Sequence, residues 1–264
     1  MIDDDVICFV LKLGQVDVIA SIIILGILFN YRRADFEHAA CFVCFVIVFN
    51  TLLKNVFKVP LFPHLGSGYA FPSGHMHASA IFYGYFVYKT PSHIARGVLI
   101  AILGCIGAAI VYRHFHDWYD IFGAIAFASA EIAIYHFLQT KYAPRYITIM
   151  SILSLIIIFY TLQLFYISEA HVWSAFYIFV GFLIGMRCCI KIALTELIQK
   201  FTGLLLCGGL FVVVHMYGKF SEIIERTELC LSQLNLLLFP IAIYLAIWIV
   251  SKIPGLSRQR FSEK

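Results

Sequence analysis

Two short polar stretches interrupt an otherwise apolar chain. The first, Lys54 to His77, reads KNVFKVPLFPHLGSGYAFPSGHMH, and the second, Tyr112 to Asp120, reads YRHFHDWYD. In the first, Pro72-Ser73-Gly74-His75 stands immediately before an apolar run with helical character. Pro72 stiffens the turn, and Gly74 lets backbone approach a ligand closely. The free N–H groups of a helix start, at the positive end of its dipole, form a natural anion site. Ser73 adds a hydroxyl donor, and His75 is placed to give a proton to a leaving group. In the second stretch His116 and Asp120 are four residues apart, a spacing that stacks them on one face of a helix start. The carboxylate can hold one ring nitrogen protonated and leave the other free to attack. Lys54, Lys58 and Arg113 supply cations for phosphoryl oxygens. The chemistry open to such a set is displacement at phosphorus, with the charge carried by side chains and with no metal or cofactor expected.

Each residue alone has a plainer use. Histidines near a membrane interface bridge headgroups and water. Lys54 and Arg113 suit snorkelling at helix ends, and Asp120 suits dipole compensation. His77, His114 and Asp117 read as bystanders or supports, and His64 as a residue of the entrance. The joint pattern carries the argument: a Pro-Ser-Gly-His opening one helix, a His-x-x-x-Asp opening another, and a lysine upstream.

The elements that must position these residues are membrane helices. Of the 264 residues, 62% are hydrophobic, 16% aromatic and only 13% charged, against about 25% charged in a soluble domain. Apolar runs recur from end to end. The expected fold is therefore all-α, a polytopic helical bundle in one membrane domain, 1–264, with a motif core at 38–135 and accessory transmembrane helices at 144–253. At roughly 20 apolar residues per crossing, nine spans are expected. They fall at Val6 to Asn30, His38 to Phe57, His75 to Tyr88, Ile94 to Tyr112, Trp118 to Leu138, Pro144 to Phe165, Val172 to Cys189, Phe201 to Tyr217 and Leu234 to Ile253. The first is interrupted by Lys12, Gln15 and Asp17, so an interfacial helix followed by a short span is the alternative. Thirteen of the 19 Lys and Arg residues fall in one set of loops, which puts the N-terminus outside and the C-terminus inside. Both polar stretches then lie on the outer side and can converge. Lys54, Lys58 and Arg113 are basic there against the topological trend.

The net charge of +4 comes from those loops, with no basic stripe to suggest nucleic acid as a partner. Of eight cysteines most lie in apolar runs; Cys41 and Cys44 have zinc-like spacing but no second pair nearby, and read as small packing residues. The acidic start, Met1 to Asp5, is the reverse of a signal-peptide n-region.

Over roughly residues 38 to 135 the sequence resembles the type 2 phosphatidic acid phosphatase superfamily, which also includes vanadium haloperoxidases. That family carries Lys, six residues, Arg-Pro; then Pro-Ser-Gly-His; then Ser-Arg, five residues, His, three residues, Asp. The second motif matches in full at Pro72 to His75, the third at His116 and Asp120, and the first at Lys54. The resemblance implies His116 as nucleophile, Asp120 as its orienting partner and His75 as the acid for the leaving group. It implies phosphate binding by Lys54, Ser73 and the Gly74 backbone. The family's Arg-Pro would fall at Leu61 and Phe62, and its Ser-Arg at Ala109 and Ile110, so both arginines are missing in register. Lys58 and Arg113 each lie three residues from the gaps, about one helical turn, and are expected to compensate. Nine spans, with the first motif after the second helix, resemble the glucose-6-phosphatase branch.

The expectation is a membrane phosphatase acting on a phosphomonoester or diphosphate, on a lipid substrate by preference because a site at the membrane edge suits an amphiphile, with a sugar phosphate as the alternative. The partners are the bilayer and a phosphorylated lipid or other phosphate ester. A bacterial inner membrane, with the site facing the periplasm, is the expected location. Two rivals remain: a degenerate binder of lipid phosphate, motivated by the missing arginines, and a transporter whose pathway is marked by Asp17, Asn30 and Glu131.

Overall fold

The computed structural model describes residues 4–29, 32–142, 145–165, 170–188, 194, 197–224 and 234–252. Over these residues the chain is all-helical, and its one β feature is an isolated antiparallel bridge between Pro60 and Tyr69. The helices are α1 (Asp4–Leu13), α2 (Val16–Leu28), α3 (Arg33–Phe57), α4 (Gly74–Lys89), α5 (His93–Tyr112), α6 (Trp118–Lys141), α7 (Tyr146–Phe165), α8 (Ala170–Cys188), α9 (Leu197–Ile224) and α10 (Leu238–Lys252). Among the described residues four of them, α3, α5, α6 and α8, are long and apolar enough to cross a membrane, or five crossings if the bent pair α1–α2 counts as one. Two further apolar helices, Ile198–Leu210 and Leu238–Lys252, are shorter. Asn30 and the expected span ends at Pro144, Cys189 and Ile253 lie outside the described residues.

The chain divides into two compact units, one made of Met1–Ser21 and Phe42–Ile167, the other of Ile22–Cys41 and Ser168–Lys264. In the first, α4 is the central element, packed against both α5 and α6. It carries apolar or small residues on every face, and Met76 through Tyr83 and Tyr85 are all buried, as a helix apolar all round should be. Ahead of it, α1 and α2 meet at a 53° bend where Gly14 and Gln15 follow the apolar run. The break frees main-chain carbonyls, and hydroxyls of α4 stand by them: Tyr83 donates to the Leu13 carbonyl at 2.8 Å, and Ser79 Oγ, whose nearer acceptor is the His75 carbonyl at 2.8 Å, lies 3.4 Å from that of Gly14. The polar interruption read at Lys12 to Asp17 is thus a real break, finished by side chains from another helix.

In the second unit α8 and α9 pack on α10. Among its described residues the buried charge is gathered at Glu37. Arg33 Nε lies 2.7 Å from Glu37 Oε1, the Tyr244 hydroxyl donates to the same carboxylate at 3.0 Å, and the Arg33 guanidinium sits 5.2 Å over the Tyr244 ring. Cys41 Sγ lies 3.9 Å from Met186 Sδ, a packing contact.

Candidate functional site

The two polar stretches meet within the first unit. The chain leaves α3 at Lys58, whose N–H still reaches the Lys54 carbonyl at 2.9 Å with φ at +52°. It then doubles back on itself. The Ala70 N–H donates to Val59 O at 2.8 Å and the Leu61 N–H to Gly68 O at 3.0 Å, so residues 59 to 70 form a closed flap. Phe71 pins the flap down, with its ring centroid 4.9 Å from that of Phe57 and 5.0 Å from that of Tyr119. It lies directly over Gly123, where a Cβ would come within 2.2 Å of the ring. Any side chain at 123 would push Phe71 out and the turn with it.

The Phe71–Pro72 peptide is cis. Ser73 follows as the cap of α4, fully buried, its Oγ accepting from the Met76 N–H at 3.5 Å. Because the His77 N–H already bonds Ser73 O at 2.9 Å, Gly74 and His75 are the first-turn residues whose amides lack an intrahelical acceptor. Two contacts join this turn and flap to the other stretch: the Ser73 N–H donates to the Asp120 carbonyl at 3.3 Å, and His64 Nε2 lies 3.1 Å from the His114 carbonyl.

His116 lies in the turn between α5 and α6, one residue before the Asp117 cap. The sequence spacing places it on the helix with Asp120; the structure puts it just ahead of the helix instead. The pair still forms because the Asp117 side chain accepts the Asp120 N–H at 2.9 Å and bends the chain back over the first turn. His116 Nδ1 then stands 2.8 Å from Asp120 Oδ2, with both side chains buried. A carboxylate can only accept, so Nδ1 carries the proton and Nε2 presents a lone pair. Burial, with the positive charge of Lys54 adding to it, holds the His116 imidazole below the usual histidine range, against the opposite pull of Asp120 and Asp117. A ring kept neutral in this way is available as a nucleophile.

Burial first, with positive charge at His116 and Lys54 acting the same way, holds the His75 imidazole in the first turn of α4 below the usual histidine range. Lys54, half-buried in the last turn of α3, thus acts on both histidines. The two cations expected to replace the missing arginines are placed differently. Lys58 is exposed where the flap begins. Arg113 turns toward α1, its Nη2 3.5 Å from the Asp4 carboxylate and 3.2 Å from Cys8 Sγ. Asp17, read as a possible pathway residue, is exposed on α2.

Beneath the Phe71–His75 turn lies a buried chain that the sequence reading does not assemble: Asn50 on α3, His77 on α4 and Glu131 on α6. The signal was present. Asn50 precedes Lys54 by four residues, and Glu131 follows Asp120 by eleven, three turns on the same face. Compared with known proteins, the chain matches no family model, no curated protein and no solved structure.

Proposed function

We propose that the protein is an integral membrane phosphatase that hydrolyses a phosphomonoester or diphosphate, by preference on a lipid, through a phosphohistidine. The observation that carries this reading is the buried His116–Asp120 pair, with Nε2 left unprotonated, joined by the Ser73–Asp120 main-chain bond to a helix start with unpaired amides. The Gly74 and His75 amides, the Ser73 hydroxyl proton and Lys54 hold the non-bridging phosphoryl oxygens. His116 Nε2 attacks phosphorus in line, forming an N–P bond as the ester P–O bond breaks, and the leaving oxygen takes its proton from His75. His75, now neutral, accepts a proton from water; the water oxygen bonds phosphorus, the N–P bond breaks, and phosphate departs.

In this reading the chain crosses nine times with its N-terminus outside, so that the site faces outward, toward the periplasm of a bacterial inner membrane. The test is phosphate release by the purified protein from phosphatidic acid, an isoprenyl diphosphate and glucose 6-phosphate, with and without vanadate. Release that vanadate blocks and His116→Ala abolishes is expected, with a lipid substrate preferred. Absence of release from the whole panel would sink the reading. One observation favours a second reading, a lipid-phosphate binder without turnover: Arg113 is engaged by Asp4 and Cys8 of α1. Binding of phosphatidic acid without its hydrolysis is the result that would select it.

A further inference from the structure

Behind the candidate phosphate turn, three polar side chains from three helices touch in sequence. Asn50 Nδ2 lies 3.2 Å from the Pro72 carbonyl and 3.2 Å from His77 Nδ1. A Cβ on Gly74 would stand 3.3 Å from Asn50 Oδ1, so the same amide leaves little room for a side chain at that position. On the far side of the ring, His77 Nε2 is 3.2 Å from Glu131 Oε1. His77 is fully buried and Glu131 is 8% exposed, and neither His77 Nε2 nor either Glu131 oxygen makes a well-aligned hydrogen bond to any described residue.

Elementary donor and acceptor rules fix the direction of this chain. The Pro72 carbonyl can only accept, so the nitrogen of the Asn50 amide must face it. That same nitrogen faces His77 Nδ1, so its second hydrogen makes Nδ1 an acceptor. The ring proton is then on Nε2, toward Glu131. A carboxylate in an apolar interior is costly unless it is paired, and His77 is the partner at hand. The three residues therefore specify one another, and the end of the chain is the backbone of the turn.

We propose that Glu131, His77 and Asn50 form a positioning relay that fixes the Pro72–Gly74 backbone, and with it the direction of the Gly74 and His75 amides toward phosphate. None of the three touches substrate. The proposal rests on the phosphatase reading for its consequence in catalysis, but its tautomer statement does not. A volume-filling role and a relay role make opposite demands on position 131. For volume alone leucine would serve as well as glutamate does, but it leaves the buried His77 Nε2 facing no acceptor. Glutamine alone keeps an oxygen acceptor for the Nε2 proton.

The experiment compares wild type, Glu131→Leu, Glu131→Gln and Asn50→Asp, purified in detergent. It reads kcat, KM and the vanadate inhibition constant on the best substrate of the panel. It also reads the tautomer of His77 by 15N NMR of histidine-labelled protein, with the resonance assigned by its loss in His77→Gln. Glu131→Leu should lower kcat/KM and weaken vanadate about tenfold or more, as misdirected substrate-holding groups do, and should let His77 populate both tautomers. Glu131→Gln should stay within about threefold of wild type, the order of one weak hydrogen bond, and keep the Nε2–H tautomer. Asn50→Asp, of the same shape but with no donor for Pro72, should behave like Glu131→Leu. Equal behaviour of the Leu and Gln variants, or an Nδ1–H tautomer of His77 in the wild type, would overturn the relay. A wild type that shows the Nε2–H tautomer but hydrolyses nothing supports the relay and removes the phosphatase reading, so the two failures are distinct.

Discussion

Each of the two units buries a glutamate, and the two are treated in opposite ways. Glu37 in the second unit is enclosed: Arg33 and the Tyr244 hydroxyl both serve it, and the guanidinium lies on the tyrosine ring. Its charge is met within a few ångströms by a guanidinium and a hydroxyl. Glu131 in the first unit faces His77, which leads through Asn50 to the carbonyl of Pro72. A closed cluster spends its polarity on holding helices together. An open one passes orientation to something beyond itself. The same residue type in the same apolar setting therefore points to different roles, and the difference is visible only in who stands next to it.

Separating rate from stability is the way to break this contrast. The largest effect is expected from Asp120→Asn, which removes the carboxylate charge and can turn an amide N–H toward His116, so that the ring proton is no longer held on Nδ1; kcat should fall by about 10⁴, the scale of a wrong tautomer in a comparable dyad, with thermal stability little changed. Glu37→Ala should do the reverse. It removes the buried carboxylate that Arg33 and the Tyr244 hydroxyl share, lowering stability by about 3 kcal/mol in a denaturant titration, while kcat of the folded protein stays at the wild-type value. A fall in kcat for Glu37→Ala equal to that for Asp120→Asn would erase the distinction between the units.

Lys54→Met sharpens the account of the site itself. Lysine at 54 lowers the affinity of His116 for a proton, so removing its charge raises that affinity. The acid limb of the kcat/KM profile, where His116 becomes protonated and loses its lone pair, should move to higher pH, alongside a rate loss of about a hundredfold from the missing phosphate contact. An acid limb that stays in place would show that another group governs it. The smallest effect concerns Arg113. Arg113→Ala should lower kcat/KM about fivefold, the worth of a half-exposed charge contact, and Arg96→Ala should leave it unchanged. Equal values would discard Arg113 as a stand-in for the missing arginines.

The pieces of this site that were legible in the sequence are those made by neighbours along the chain. Pro72 to His75 opens a helix because proline and glycine punctuate locally, and His116 finds Asp120 because four residues is a short reach. The helix edges at Tyr112 and Trp118 were readable for the same reason, since apolar runs end there. What could not be read depends on three helices arriving together. Asn50 carries no chemical signature of its own, and His77 looked like a bystander beside His75. Glu131 looked like a pathway residue. Only the packing of α3, α4 and α6 puts them in line. Asp117 likewise reads in the sequence only as a bystander or support, although an aspartate three residues before another polar residue at a helix start has the cap spacing. The direction of Arg113 toward Asp4 was invisible because it needs α1 folded back on α5, a contact more than a hundred residues long in sequence.

The bond from the Ser73 amide to the Asp120 carbonyl has a practical corollary. It is written in main chain on both sides, so an alanine, asparagine or glutamine placed at 73 or 120 still presents the same N–H and the same C=O; only proline at 73, which has no N–H, deletes it by substitution. Libraries of point variants without proline will therefore report on the groups hung from this joint and stay blind to the joint itself. An amide-to-ester swap at residue 73, introduced by semisynthesis, would break the joint while keeping the side chains on both sides.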